Sequence, residues 1–244
     1  MTRGAVLVLV AVLAGGAHAA VEDVRYSVEI DLSDVKSLQR GARTFVNYCL
    51  SCHSASYMRY SRIARDLQLP EELVEENLMF ATDKIGDVMQ VAMRPEDAAQ
   101  WFGVAPPDLS VIARARGADW LYTFLLTFYH DAARPTGVNN LAFKDTAMPH
   151  VLWELQGLQR LVTGSDDQSH GEAAAGHDFE MMKQGRLNEQ EYQRTVKDLV
   201  AFLVYLGEPA KLVRYRVGAW VIIFLVVFLA ISYLLKREYW KDVH

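Results

Sequence analysis

The chain has very little cysteine. Two occur among 244 residues, Cys49 and Cys52, too close together to staple a secreted fold with disulfides, so their work is local chemistry. A basic excess is also missing: 25 Lys and Arg stand against 30 Asp and Glu, a formal charge of −5, and nothing recommends nucleic acid as a partner. There is no internal repeat or low-complexity tract, and the strand signal is weak throughout, which points to one mainly helical domain. Hydrophobic residues at 51% and charged residues at 23% exclude a disordered chain and a polytopic membrane protein alike.

The hydrophobicity is concentrated at the two ends. Arg3, an apolar run from Ala5 to Leu13 and the small residues Ala17-His18-Ala19 form a signal-peptide pattern over 1–19, too short and too glycine-rich for a permanent anchor. Val217 to Leu235 is nineteen residues without a charge, about 28 Å as a helix, enough to cross a bilayer. Trp220, Tyr233, Tyr239 and Trp240 stand where interfacial aromatics are favoured. Basic residues flank both ends of the span, so the signal peptide decides the orientation. The expected organisation is a signal peptide (1–19), an exported domain (20–212), a single-pass anchor in contact with membrane lipid (213–236) and a cytoplasmic tail (237–244).

Within the exported part, Gly41 to Tyr48 has helical spacing and leads into the cysteines. Leu69-Pro70-Glu71-Glu72 reads as a helix start. The glutamates 71, 72, 75 and 76 are either a solvated helix face or a docking surface for a basic partner. Asp119 to Tyr129 reads as one buried helix, and Asp131 to Pro149 as a loop punctuated by Asn139-Asn140. Thr163 to His177 reads as a surface loop. Asn188 and Glu191 form a capping box that opens a helix with an apolar stripe of Val196, Leu199, Val200, Leu203 and Leu206, stopped at Gly207-Glu208-Pro209.

Cys49-Leu50-Ser51-Cys52-His53 is C-x-x-C-H, the attachment motif for c-type haem. Two thiols one helical turn apart can add to the two porphyrin vinyls, and the next residue offers an imidazole to the iron. A thioredoxin-like pair would want a preceding strand and has no use for the histidine. A zinc site lacks further cysteines. The second axial ligand must come from elsewhere, from Met58, Met79, Met89, Met93, Met148, Met181, Met182 or a histidine. Met79 and Met89 have the spacing of helix-face packing, and Met181-Met182 sit near a polar loop. Met148 differs: it follows a long polar loop and precedes Pro149, which holds the chain extended. His150 is near enough to compete, although a surface or hydrogen-bonding role suits it better.

With these residues in view, the chain resembles cytochrome c1, the haem-bearing subunit of the cytochrome bc1 complex, in its bacterial form. The resemblance runs from the signal peptide through RGARTFVNYCLSCHS, APPDLSVIARARGADWLYTFLLTFY and TGVNNLAFKDTAMPHVLWELQG to the C-terminal anchor. It implies a class I cytochrome c-like haem domain with insertions, plus one C-terminal transmembrane helix, and one covalently bound haem c. Cys49 and Cys52 would be the thioether attachments, His53 the proximal ligand and Met148 the distal one. Arg116 would contact a haem propionate with Arg114 as its neighbour, and Pro106 and Pro107 would line the pocket. The tyrosine expected after Arg116 is Tyr122, or is replaced by Trp120. Gly41 and Phe45 match the positions where the N-terminal helix packs on the C-terminal one, here Leu199 to Tyr205.

The function so implied is that of an electron-transfer subunit of ubiquinol:cytochrome c oxidoreductase, with no independent catalysis expected from this chain alone. Its partners would be cytochrome b, the Rieske iron-sulfur protein as donor and a c-type cytochrome as acceptor. The haem domain would sit on the periplasmic side of the bacterial inner membrane. A tethered cytochrome feeding another enzyme, such as a terminal oxidase, is the alternative.

Overall fold

A computed structural model describes residues 24–162 and 178–241. The signal-peptide pattern of 1–19 and the loop 163–177 lie outside the described residues. Helix α1 (Val35–Tyr48) starts where the Asp34 carboxylate accepts the Ser37 amide at 3.0 Å. Strand β1 (Ala55–Arg59) and helices α2 (Tyr60–Asp66) and α3 (Glu71–Leu78) follow. Pro70 caps α3, whose four glutamates are exposed while Val74 and Leu78 are buried. Next come β2 (Val88–Met89), α4 (Pro95–Phe102), α5 (Ile112–Arg116) and α6 (Ala118–Leu126). Strands β3 (Phe128–His130) and β4 (Val138–Asn140), helix α7 (Trp153–Gln156), and strands β5 (Gly157–Val162) and β6 (Asp178–Gln184) precede the long helices α8 (Glu189–Gly207) and α9 (Lys211–Tyr239).

The domain is mainly helical, as expected, but the strands need a correction. Three antiparallel pairs, β1 with β2, β3 with β4 and β5 with β6, interrupt the helices. Most are two to five residues long, too short for alternation to register in the sequence. The buried helix expected over 119–129 stops at Leu126, and Phe128 pairs with Asn140 in the β3–β4 ladder. Met89 lies on β2 rather than on a helix, and Met181 and Met182 lie on β6.

The core is organised on the packing of α1 against α8. A Cβ at Gly41 would fall inside contact distance of the Asp198 carbonyl oxygen and 2.7 Å from the Phe202 Cβ, so only glycine permits this approach. Phe45 packs on Phe202 with ring centroids 5.5 Å apart. At the edge of the crossing Arg40 grips Asp198 with two bonds, 2.6 and 2.9 Å, and the Ser37 hydroxyl donates to the same carboxylate at 2.6 Å. Both halves of the Asn188–Glu191 capping box are made. Every residue of the expected stripe on α8 is buried, and so are Tyr192, Ala201, Phe202 and Tyr205, because the helix is covered on more than one face. By contrast α9 has no buried residue, and its most apolar window has a mean hydropathy of 2.6.

A candidate cofactor cleft built on the C-x-x-C-H turn

Beyond α1 the chain makes one further turn. The Cys49 carbonyl accepts the amides of both Cys52 (3.0 Å) and His53 (2.8 Å), which sets the cysteine pair on a single turn just past the helix end. This turn borders a cavity of about 350 Å³, lined almost wholly by apolar atoms. Cys49, Cys52 and His53 reach it from the turn, Pro106 and Pro107 from the segment before α5, Leu121, Phe124 and Leu125 from α6, and Leu199 and Leu203 from α8. Met148 and Pro149 reach it from the loop after β4.

The Pro-Pro-Asp-Leu-Ser segment is stitched to the turn. Pro107 presents its carbonyl to His53 Nδ1 at 2.7 Å. Donation there fixes the tautomer and leaves the Nε2 lone pair free for a metal. The Asp108 carboxylate accepts the amides of Ser56 (2.9 Å) and Ser110 (2.7 Å), the Ser110 hydroxyl accepts the Tyr57 amide (3.1 Å), and the Leu109 amide donates to the Ser54 carbonyl (2.8 Å). Burial lowers the His53 pKa, against the raising effect of the Pro107 bond and of Asp108, and so favours the neutral imidazole that iron requires. Burial, with Cys52 beside it, pushes the Cys49 thiol up to about 12, the opposite of what an activated redox thiol needs.

Arg116 also lines the cavity and, with His53, supplies its ionisable nitrogens. Its guanidinium lies 4.9 Å from the Trp120 ring centroid and 5.9 Å from that of Phe143. Trp120 lines the cavity too, and its Nε1, buried within the protein, has no hydrogen-bond partner. A cation and an unsatisfied donor at the margin of an apolar cleft suit a flat macrocycle that carries carboxylates. The chemistry of the donor set therefore fits haem.

Not every candidate reaches the cleft. Tyr122 and Arg114 are absent from its lining. Two residues along a helix turn the side chain by about 200°, so Trp120 and Arg116 face the cavity while Tyr122 and Arg114 face away. Tyr122 is half-buried near Tyr26, and the Arg114 stem packs over Gly207. Met58, Met79 and Met89 are buried in the core, Met181 and Met182 are exposed on β6, and of the candidate methionines only Met148 borders the cleft. His150 is no surface residue: 6% exposed, it stacks on Phe128 at 4.9 Å and lies outside the cavity lining.

An apolar cleft with two thiols, an imidazole of fixed tautomer and a thioether is that of a c-type cytochrome. The cytochrome C1 family model matches residues 27–243, and the chain belongs to that family. It is 47% identical to cytochrome c1 of Allochromatium vinosum over 96% of this chain and 94% of that one. It is also 47% identical to a Nitrosomonas europaea protein named ammonia monooxygenase gamma subunit, over 93% of each. Identity to the cytochrome b/c1 of Bradyrhizobium diazoefficiens is 28%, over 86% of this chain and 34% of that protein. The cofactor is one covalently bound haem c.

Proposed function

We propose that this chain is the electron-exit subunit of a quinol:cytochrome c oxidoreductase, the cytochrome bc1 complex. In that role it receives electrons from the Rieske iron-sulfur protein, sits beside cytochrome b and passes electrons to a c-type cytochrome. When bound, haem supplies one-electron chemistry at its iron. Cys49 and Cys52 would hold it covalently, His53 and Met148 would bind its iron, Pro106 and Pro107 would wall its pocket, and Arg116 with Trp120 would receive its carboxylates. With His53 and Met148 both on the iron no position would be left for a substrate, which suits relay rather than catalysis.

The observation that carries this reading is the convergence of Cys49, Cys52, His53 and Met148 on one apolar cleft. The 29-residue helix α9, long and apolar enough to cross a membrane, supports a single-pass anchor, and the signal-peptide pattern of 1–19 supports a haem domain on the periplasmic side with the residues after 236 in the cytoplasm. Exposed Phe102, Val104 and Phe143 at the mouth of the cleft offer an apolar rim to an acceptor.

The test is purification in detergent, a reduced-minus-oxidised spectrum and identification of what copurifies. A c-type spectrum that survives acid-acetone extraction, together with a cytochrome b and a Rieske protein, is the expected result. Haem lost to the acetone would overturn the attachment, and copurification with an oxidase or a monooxygenase in place of cytochrome b would overturn the assembly.

A further inference from the structure

The loop that brings Met148 to the cleft has almost no regular structure, yet side chains hold many of its amides. Asn140, 1% exposed, accepts the amides of Ala142 (2.9 Å) and Phe143 (3.1 Å) on its Oδ1, and donates through Nδ2 to the Phe124 carbonyl at 2.7 Å. Asn139, 3% exposed, accepts the Asp145 amide at 2.8 Å and donates to the Asp131 carboxylate at 3.0 Å. Last in the series, the Thr146 hydroxyl accepts the Met148 amide at 3.3 Å. Phe124, Phe143, Thr146 and Met148 all line the cleft, so these bonds tie α6 to the ligand loop.

We propose that Asn139 and Asn140 are the positioning residues of the Met148 thioether, an inference that rests on the reading of Met148 as the axial ligand. A thioether is a neutral, weakly basic ligand and cannot order a mobile loop by its own bond strength. The loop must be ordered beforehand, and every residue left free would subtract conformational entropy from ligation. A primary amide suits the task because it both donates and accepts without charge. An aspartate at position 140 would bury a carboxylate against the Phe124 carbonyl, and a serine would reach fewer amides.

The test uses the full-length holoprotein in detergent and reads two properties that general destabilisation does not move: the long-wavelength absorption of the ferric iron–thioether bond, and the carbon monoxide affinity of the ferrous form. Asn140→Ala should lose most of the absorption and bind carbon monoxide about tenfold more tightly, in proportion to the fraction of molecules whose ligand is off. Asn139→Ala and Thr146→Val should follow more weakly. Tyr205→Phe, which removes a half-buried bond to Asp66 outside the cleft, should change neither reading.

If Asn140→Ala and Asn139→Ala both keep the absorption and the wild-type carbon monoxide affinity, the positioning role is overturned. Should Asn140→Ala fail to accumulate with haem, Asn139→Ala and Thr146→Val decide on the same two readings. Met148→Leu separates this inference from the reading beneath it. An unchanged Met148→Leu protein removes the ligand assignment itself, whereas a changed one beside unchanged asparagine variants removes only the positioning role.

Discussion

The α1–α8 crossing and the stretch from Leu126 to Gln159 border the same cleft and keep their shape by different means. In the crossing, side chain meets side chain, Phe45 on Phe202 and Arg40 on Asp198, around the close backbone approach that Gly41 permits. In the stretch, side chain meets backbone: Asn140 serves Ala142, Phe143 and Phe124, and the Gln156 and Gln159 amides both donate to the Leu126 carbonyl at 3.0 Å. Apolar burial is non-directional, so a packed crossing stabilises the domain as a whole. Hydrogen bonds are directional and contribute only about 1 kcal/mol each, so a bonded loop fixes the place of one atom instead. Damage to the crossing should unfold the protein, and damage to the loop should change the iron while the fold survives.

Gly41→Val breaks the comparison hardest. Two additional methyls on a Cβ already inside contact distance of Asp198 should cost more than about 5 kcal/mol and abolish haem-loaded protein, measured as covalent haem per chain. A normal yield would show that the helices do not need their close approach. Phe45→Ala should cost about 3–5 kcal/mol in denaturant unfolding yet leave the reduction potential nearly where it was.

Met148→Leu sharpens the contrast from the other side. Its volume is nearly conserved, so stability should shift by less than about 1.5 kcal/mol, while the potential falls strongly and carbon monoxide gains access. Stability lost without a change in potential would make Met148 a core residue like Met58. A smaller effect is expected at Asp66. Burial raises its carboxyl pKa, but hydrogen bonds from Arg62, Tyr205 and Arg65 outweigh burial and hold it below the ordinary carboxylate range. The stability it contributes is complete above about pH 4 and is lost as pH falls through the lowered value. Unfolding midpoints between pH 6 and pH 3 should therefore fall less steeply in Asp66→Asn. Smallest of all is truncation after Ala210: α9 has no buried residue, so the fragment should carry haem with its unfolding free energy within about 0.5 kcal/mol of the full chain.

The same contrast governs what could be read from the sequence. The crossing was legible in two ways: the α8 stripe and its capping box follow from helical geometry, and the pairing of Gly41 and Phe45 with that helix came from the resemblance to cytochrome c1. The C-x-x-C-H turn was legible because its chemistry is local. The ligand loop was legible only at its end, in the isolated Met148-Pro149. Asn139 and Asn140 were visible as loop punctuation, and their burial was not, since an asparagine that caps solvent-exposed amides and one that satisfies buried amides have the same neighbours in sequence. The choice between Trp120 and Tyr122 needed the helix phase relative to the cleft, which a three-residue window cannot supply.

The join between α8 and α9 has a mechanical consequence. Only Glu208, Pro209 and Ala210 separate the two helices, and Arg214 bridges back to Glu208 at 2.6 Å. Three residues reach at most about 11 Å, and the join begins about 6 Å of helix beyond Leu203, which borders the cleft. So short a leash would hold the cleft at one height above whatever holds α9. On the function proposed above, the travel that electron transfer requires would then fall to the partners rather than to this chain.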